Sequence, residues 1–147
     1  MNGPIELSAV FPAFNEEARL EPPLREAAAY LAATGRRAEL IAVDDGSRDG
    51  TSTLVHRLTD EIPGLRLIRL PAHRGKGYAV RTGIVNARGR RVLMVDADGS
   101  TPFGELARLD AALDGGADVA IGSRALHGEG VRVDARAYRR LIGRSFH

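Results

Sequence analysis

The feature that most constrains this chain is a recurring pair: a short apolar run stopped by a polar or proline-bearing cluster, then a stretch with helical spacing. Residues 7–11 (LSAVF) end at Pro12, and residues 40–43 (LIAV) end at Asp44-Asp45-Gly46-Ser47. Residues 65–70 (LRLIRL) end at Pro71, and residues 91–95 (RVLMV) end at Asp96-Ala97-Asp98-Gly99-Ser100. A fifth run, residues 119–121, precedes Gly122-Ser123-Arg124. Continuous apolar runs, as opposed to alternating ones, belong to strands covered on both faces. Between them the spacing predicts helices over about residues 16–33, with Pro22 and Pro23 in the first turn of the main part. Further helices are expected from a Thr51 or Ser52 cap to about Ile62, over residues 77–87, and from Pro102 to about Leu113. The third of these would place Ala79, Val80, Gly83, Ile84 and Ala87 on one face. Such alternation predicts an α/β fold with a mostly parallel sheet and helices on both faces. Residues 136–147 (RAYRRLIGRSFH) read as the start of a basic amphipathic helix.

Composition narrows the function. At 147 residues, with 44% apolar and 27% charged residues, the chain suits one compact domain with a real core. Cysteine is absent, which excludes disulfides, thiolate zinc sites and a cysteine nucleophile. Four Phe, three Tyr and no Trp make a poor base-stacking platform, so no nucleic-acid partner is expected. The net charge is only +2, yet twenty of the 21 basic residues are Arg and the remaining one is Lys76. Arginine forks onto phosphates and carboxylates, so this surface tolerates anionic partners without naming one. No signal-peptide pattern opens the chain, and no apolar run nears the roughly 20 residues that cross a bilayer. A cytoplasmic protein, with peripheral membrane contact open to it, is the expectation.

In parallel α/β sheets ligands sit at the carboxyl ends of the strands. The chemically suggestive clusters all fall there: Pro12-Ala13-Phe14-Asn15-Glu16, Asp44-Asp45, Asp96-Ala97-Asp98 and Gly122-Ser123-Arg124. Asp96 and Asp98 flank one small residue, so in extended chain both carboxylates face one point. Two hard oxygen donors suit Mg²⁺ or Mn²⁺ bridging a diphosphate. A calcium loop is excluded, since Gly99 is fourth from Asp96 where that loop needs glycine sixth. Asp44 and Asp45 can accept hydrogen bonds from a base or ribose, and one of them can instead cap the turn through Gly46. His73-Arg74-Gly75-Lys76-Gly77 looks like a phosphate cradle at a helix start without matching the P-loop. Within it Lys76 is a candidate phosphate contact, and His73 reads as a polar loop residue.

The ordered segments FPAFNEE, VDDGSRDGT, RGKGYAVRTG and DADGS resemble the inverting family 2 glycosyltransferases of the GT-A, Rossmann-like fold. RGKG, DADGST, IGSRA and RAYRRLIGRSFH are similar to the dolichyl-phosphate β-glucosyltransferases and bacterial polyprenyl-phosphate relatives. The resemblance spans residues 7–147 and implies transfer of a hexose, glucose from UDP-glucose first among them, to a polyprenyl or dolichyl phosphate. It implies that Asp96 and Asp98 hold the metal on the UDP diphosphate. Pro12, Ala13, Asn15, Glu16 and one or both of Asp44 and Asp45 would line the uridine pocket. Arg124 and Arg139 would contact the acceptor phosphate; for Arg139 a solvated basic helix face is the competing assignment.

The implied chemistry is consistent with these residue types. Cleaving a sugar–diphosphate bond leaves charge on UDP that a metal together with Lys76 or Arg74 can stabilise. A phosphate acceptor needs no general base, because its second pKa near ~6 leaves it largely dianionic at neutral pH. Two alternatives compete: a non-catalytic nucleotide-sugar-binding fragment, and a haloacid-dehalogenase-type phosphatase with Asp96 as nucleophile. The phosphatase would want a later lysine, and none follows Lys76. Relatives continue well past the equivalent of His147, so the expectation is a single nucleotide-sugar-binding domain over 1–147, C-terminally incomplete, in which 136–147 begins an acceptor-side helix.

Overall fold

The structure, a computed structural model, describes residues 3–122. Four parallel strands, β1 (Leu7–Ala13), β2 (Ala38–Asp44), β3 (Leu65–Arg69) and β4 (Arg91–Met94), form a sheet in the order β3-β2-β1-β4. The connecting helices are α1 (Glu21–Ala33), α2 (Thr51–Glu61) and α3 (Lys76–Val85). The expected parallel sheet with helices on both faces is what the chain adopts.

Period-two alternation divides the core. From β1, Leu7, Ala9, Phe11 and Ala13 face α1 and α2, where they meet Leu24, Ala27, Leu31, Val55 and Leu58. Val10, with Ile41 and Val43 of β2, faces the other way onto Ala79 of α3 and Leu70. Every residue of β1 is therefore buried, which its uninterrupted apolar run requires. α3 reaches the sheet because Gly83 has no side chain: a Cβ there would lie 2.2 Å from Val10 Cγ1.

β1 runs two residues past the expected stop, through Pro12 to Ala13. The Ala13 carbonyl accepts the Asp45 N–H on the β2 side, and the Val10 carbonyl accepts the Val95 N–H on the β4 side. By alternation the Pro12 nitrogen faces β4, whose register ends at Val10–Met94, so no ladder bond needs the missing proton. α1 begins at Glu21, not at residue 16. The backbone N–H groups of Glu16 and Glu17 donate to Thr51 Oγ1 and Asp49 Oδ2, which holds residues 16–20 as a separate turn. At the start of α2 the N-cap is Gly50, with no side-chain cap bond; the Asp49 carboxylate takes the Thr51 N–H instead.

α3 starts at Lys76 and ends at Val85, and only Ala79 and Gly83 of its expected face are buried. Ile84 is exposed. After Pro102 a 3-10 turn, Phe103–Glu105, packs on α1 through a Tyr30–Phe103 edge contact with centroids 5.5 Å apart. The compact unit holding the sheet ends at Leu106, and α4 (Leu106–Asp114) leads into a second unit.

The expected fifth strand does not form: residues 119–121 carry no strand pairing, and Val119 and Ile121 are 74% and 83% exposed. Three apolar residues are too few to specify a strand without a ladder partner, and among the described residues the sheet pairs only β1 to β4. Ser123, Arg124, Arg139 and the 136–147 segment lie outside the described residues.

Candidate active site

The carboxyl ends of β1, β2 and β4 converge on a cleft of about 390 Å³. Ladder bonds continue one residue beyond β2 and β4, and they carry Asp45 and the chain toward Asp96 into position. Pro12, Ala13, Glu16, Asp45, Lys76, Asp96 and Asp98 all line this cleft. Asn15 and Asp44 do not.

Asn15 instead ties two loops together. Its N–H donates to Ser47 Oγ, and its Oδ1 accepts the Arg48 N–H, both at 2.9 Å. Its φ of 54° lies in the left-handed region that asparagine tolerates better than most residues. Asp44 is buried and caps the turn through Gly46: Oδ1 accepts the Ser47 N–H at 2.9 Å, and Oδ2 accepts the Ser52 hydroxyl. Arg69 Nε stands 3.7 Å away as a counter-charge.

Asp45, also buried, clasps the loop leading into α3. Its two oxygens accept the N–H groups of Arg74 and Gly75, each at 2.8 Å, and Oδ2 lies 2.8 Å from His73 Nδ1. Two N–H groups of the expected phosphate cradle, those of Arg74 and Gly75, are therefore taken by the Asp45 carboxylate. Gly46 makes the contact possible: at φ +72° its missing Cβ leaves room for the Ala72–His73 peptide, whose atoms would lie 2.6 Å from it. The clasp sets His73 against Phe14, with ring centroids 3.9 Å apart and planes tilted by 30°. Arg74 lies over the Tyr78 ring at 4.1 Å.

Lys76, Asp96 and Asp98 reach solvent. Lys76 Nζ donates to Asp96 Oδ1, with the two side chains 61% and 43% exposed. Asp98 Oδ1 accepts the Ser100 N–H at 3.0 Å. Glu16 Oε2 is buried without a hydrogen-bond donor; Arg19 Nε is 2.8 Å away but outside hydrogen-bonding geometry. Arg19 is thus its counter-charge on the cleft wall.

No group of three or more metal-binding side chains occurs among the described residues. Asp96 and Asp98 can supply two oxygens. Mg²⁺ and Mn²⁺ are commonly held by one or two carboxylates, with water and substrate phosphates completing the shell, so this donor set fits such an ion when a diphosphate is also present.

The cleft also takes in Phe14, Arg19, His73, Ala79 and Ala97, which the motifs did not nominate as site residues. Phe14 sits inside the FPAFNEE segment and was accessible to motif reasoning. His73, read from the sequence as a polar loop residue, owes its place on the cleft to Asp45 across the β2 loop.

A parallel sheet with carboxylates gathered at its carboxyl edge matches a nucleotide-sugar transferase architecture. The chain belongs to the glycosyl transferase family 2, whose pattern matches residues 8–147. It is 38% identical over 156 residues to the dolichyl-phosphate beta-glucosyltransferase of Homo sapiens, covering 97% of this chain and 48% of that protein. The Drosophila melanogaster protein of the same name is 38% identical over 159 residues, with the same coverage. The chain thus spans about half the length of the curated relatives it matches. Among solved structures it resembles Staphylococcus aureus TarS 1–349, at TM-score 0.62 and 26% identity, over 75% of this chain and 32% of that one. It also resembles a mannosyltransferase from Pyrobaculum calidifontis solved with GDP-Man and Mn²⁺, at TM-score 0.56 and 30% identity, over 66% of this chain and 28% of that one. The fold is GT-A, and membership of this family displaces the phosphatase alternative. Among the described residues no helix is long and apolar enough to cross a membrane.

Proposed function

We propose that this chain carries the donor site of an inverting hexosyltransferase that moves glucose from UDP-glucose to a polyprenyl or dolichyl phosphate. The observation that carries the proposal is the meeting of Asp96, Asp98, Lys76 and Glu16 in one cleft at the carboxyl ends of parallel strands. Asp96 and Asp98 would hold Mg²⁺ or Mn²⁺, which when bound supplies positive charge to the donor diphosphate. Glu16, which lines the same cleft, would accept from a donor hydroxyl. The Phe14–His73 pair offers an aromatic wall, and Pro12 and Ala13 offer an apolar floor.

In the reaction an acceptor phosphate oxygen attacks the anomeric carbon from the face opposite the diphosphate. The new carbon–oxygen bond forms as the bond to UDP breaks, and the electron pair leaves on the diphosphate. Lys76 opposes the charge that develops there. Arg124 and Arg139 are the proposed partners of the acceptor phosphate, offsetting its repulsion from the donor. A lipid acceptor places this reaction at a membrane surface, with the protein in peripheral contact on the cytoplasmic side.

Calorimetry with UDP-glucose and Mn²⁺ tests the donor site: saturable binding that needs the metal is expected, and no binding would overturn the proposal. A transfer assay following labelled glucose into extracted polyprenyl phosphate tests the reaction. Binding without transfer would leave a nucleotide-sugar-binding module. In that assay Arg124→Ala is expected to lose transfer and keep UDP affinity; an equal loss of UDP affinity would remove Arg124 from the acceptor role.

A further inference from the structure

Lys76 is the only lysine in the chain, and its ammonium rests on Asp96, one of the two carboxylates that fit a divalent cation. The two uses of Asp96 exclude each other in part. An ammonium on the carboxylate repels a divalent cation brought to the same oxygens. We propose that Lys76 is an exchangeable counter-ion, which holds Asp96 in the nucleotide-free protein and gives it up to the divalent cation when a diphosphate draws the ammonium away. This rests on the donor-site assignment above.

The geometry supports exchange over a permanent pair. Both partners are well exposed, and exposed ion pairs are worth little, so separating them costs little. The lysine head rides on a flexible, strongly hydrated stem, whereas the backbone beneath it is pinned by the Asp45 clasp on Arg74 and Gly75. The ammonium can therefore swing without the loop unfolding. A diphosphate offers it more negative charge than one carboxylate, and the vacated carboxylate becomes a better ligand for the metal. Linkage then demands reciprocity: nucleotide tightens metal binding, and metal tightens nucleotide binding by the same factor.

The test separates metal affinity from nucleotide affinity in the 147-residue chain. Mn²⁺ binding without nucleotide is read from the electron paramagnetic resonance signal of the free ion, and UDP binding with Mn²⁺ from calorimetry. In Lys76→Gln, Mn²⁺ alone is expected to bind about two- to fivefold more tightly, the range an exposed pair can supply. UDP is expected to bind more weakly in the same variant, so one substitution moves the two affinities in opposite directions. Lys76→Arg should restore both toward wild type, and adding Asp96→Asn to Lys76→Gln should erase the gain in Mn²⁺ affinity. Unchanged or weaker Mn²⁺ binding in Lys76→Gln, with normal metal-dependent UDP binding in the wild type, would overturn the exchange and leave the donor site standing. Absence of UDP binding in the wild type would overturn both.

Discussion

The two ends of the parallel sheet each hold a buried carboxylate bonded to backbone N–H groups, and they differ in what is left over. At the amino end, Glu39 Oε1 accepts the Ser8 hydroxyl at 2.7 Å and the Arg88 N–H at 2.7 Å, while Oε2 accepts Arg66 Nε at 2.9 Å. Ser8 Oγ in turn accepts the Gly89 N–H at 2.8 Å. Burial pushes the Glu39 carboxyl up, but these bonds outweigh it and hold the group below its ordinary value of 4.5. That end is closed on itself: it pins the α3–β4 turn to β1 and β2. At the carboxyl end, Asp45 is as fully engaged, yet it serves to place neighbours that are not. Lys76 and Asp96 keep exposed polar atoms around a cleft. A saturated polar cluster stabilises, whereas an unsaturated one on a rigid edge is available for binding.

This contrast is open to direct attack. Glu39→Ala should have the largest effect, about 3 kcal/mol of stability, because Arg66 and the Ser8 and Arg88 donors lose a buried partner. Denaturant unfolding measures it, and UDP affinity per folded molecule should hold. Asp98→Asn should do the reverse: at least about a tenfold loss of metal-dependent UDP affinity by calorimetry, with the unfolding midpoint nearly unchanged. Asp45→Asn falls between the two. An amide offers one acceptor where the carboxylate offers two, so amide hydrogen exchange at Arg74 and Gly75 should quicken and stability fall by about 1 kcal/mol. UDP affinity should drop with it as Lys76 and His73 lose their anchor.

The smallest expected effect is on pH dependence. Since the folded-state pKa of Glu39 is depressed, its contribution is fully present above 4.5 and is lost as pH falls through the lower folded value. Asp49 adds a loss of the same sign below 3.8, because the Thr51 and Glu17 bonds to its carboxylate prevail over burial. The thermal midpoint should therefore fall on acidification. The fall should be shallower in Glu39→Gln.

Much of the fold is legible in the sequence. The cores of β1 to β4 lie where the apolar runs placed them, because burial on both faces writes an uninterrupted run and the flanking Asp, Gly and Pro write its end. Boundaries were less legible where a long-range bond decided them. The turn at residues 16–20 follows from Thr51 and Asp49, more than thirty positions away, and residues 119–121 lacked the partner a strand needs. In the site, the motifs named all four cleft-lining carboxylates, Glu16, Asp45, Asp96 and Asp98, together with Lys76, but Asn15 and Asp44 carry the same polar character and turn to other partners.

By itself the sequence determined the α/β class, the strand order of events along the chain, and the gathering of its carboxylates at strand ends, since period and punctuation are local properties. It also carried the family, through motifs in a set order. Only the tertiary structure decided which carboxylate faces the cleft, that Asp45 takes the Arg74 and Gly75 N–H groups of the expected phosphate cradle, that His73 stacks on Phe14, and that Lys76 sits on Asp96. Each of those pairings joins residues from different strand-end loops. The choice among equally polar partners is made by distance in space, which spacing along the chain does not encode.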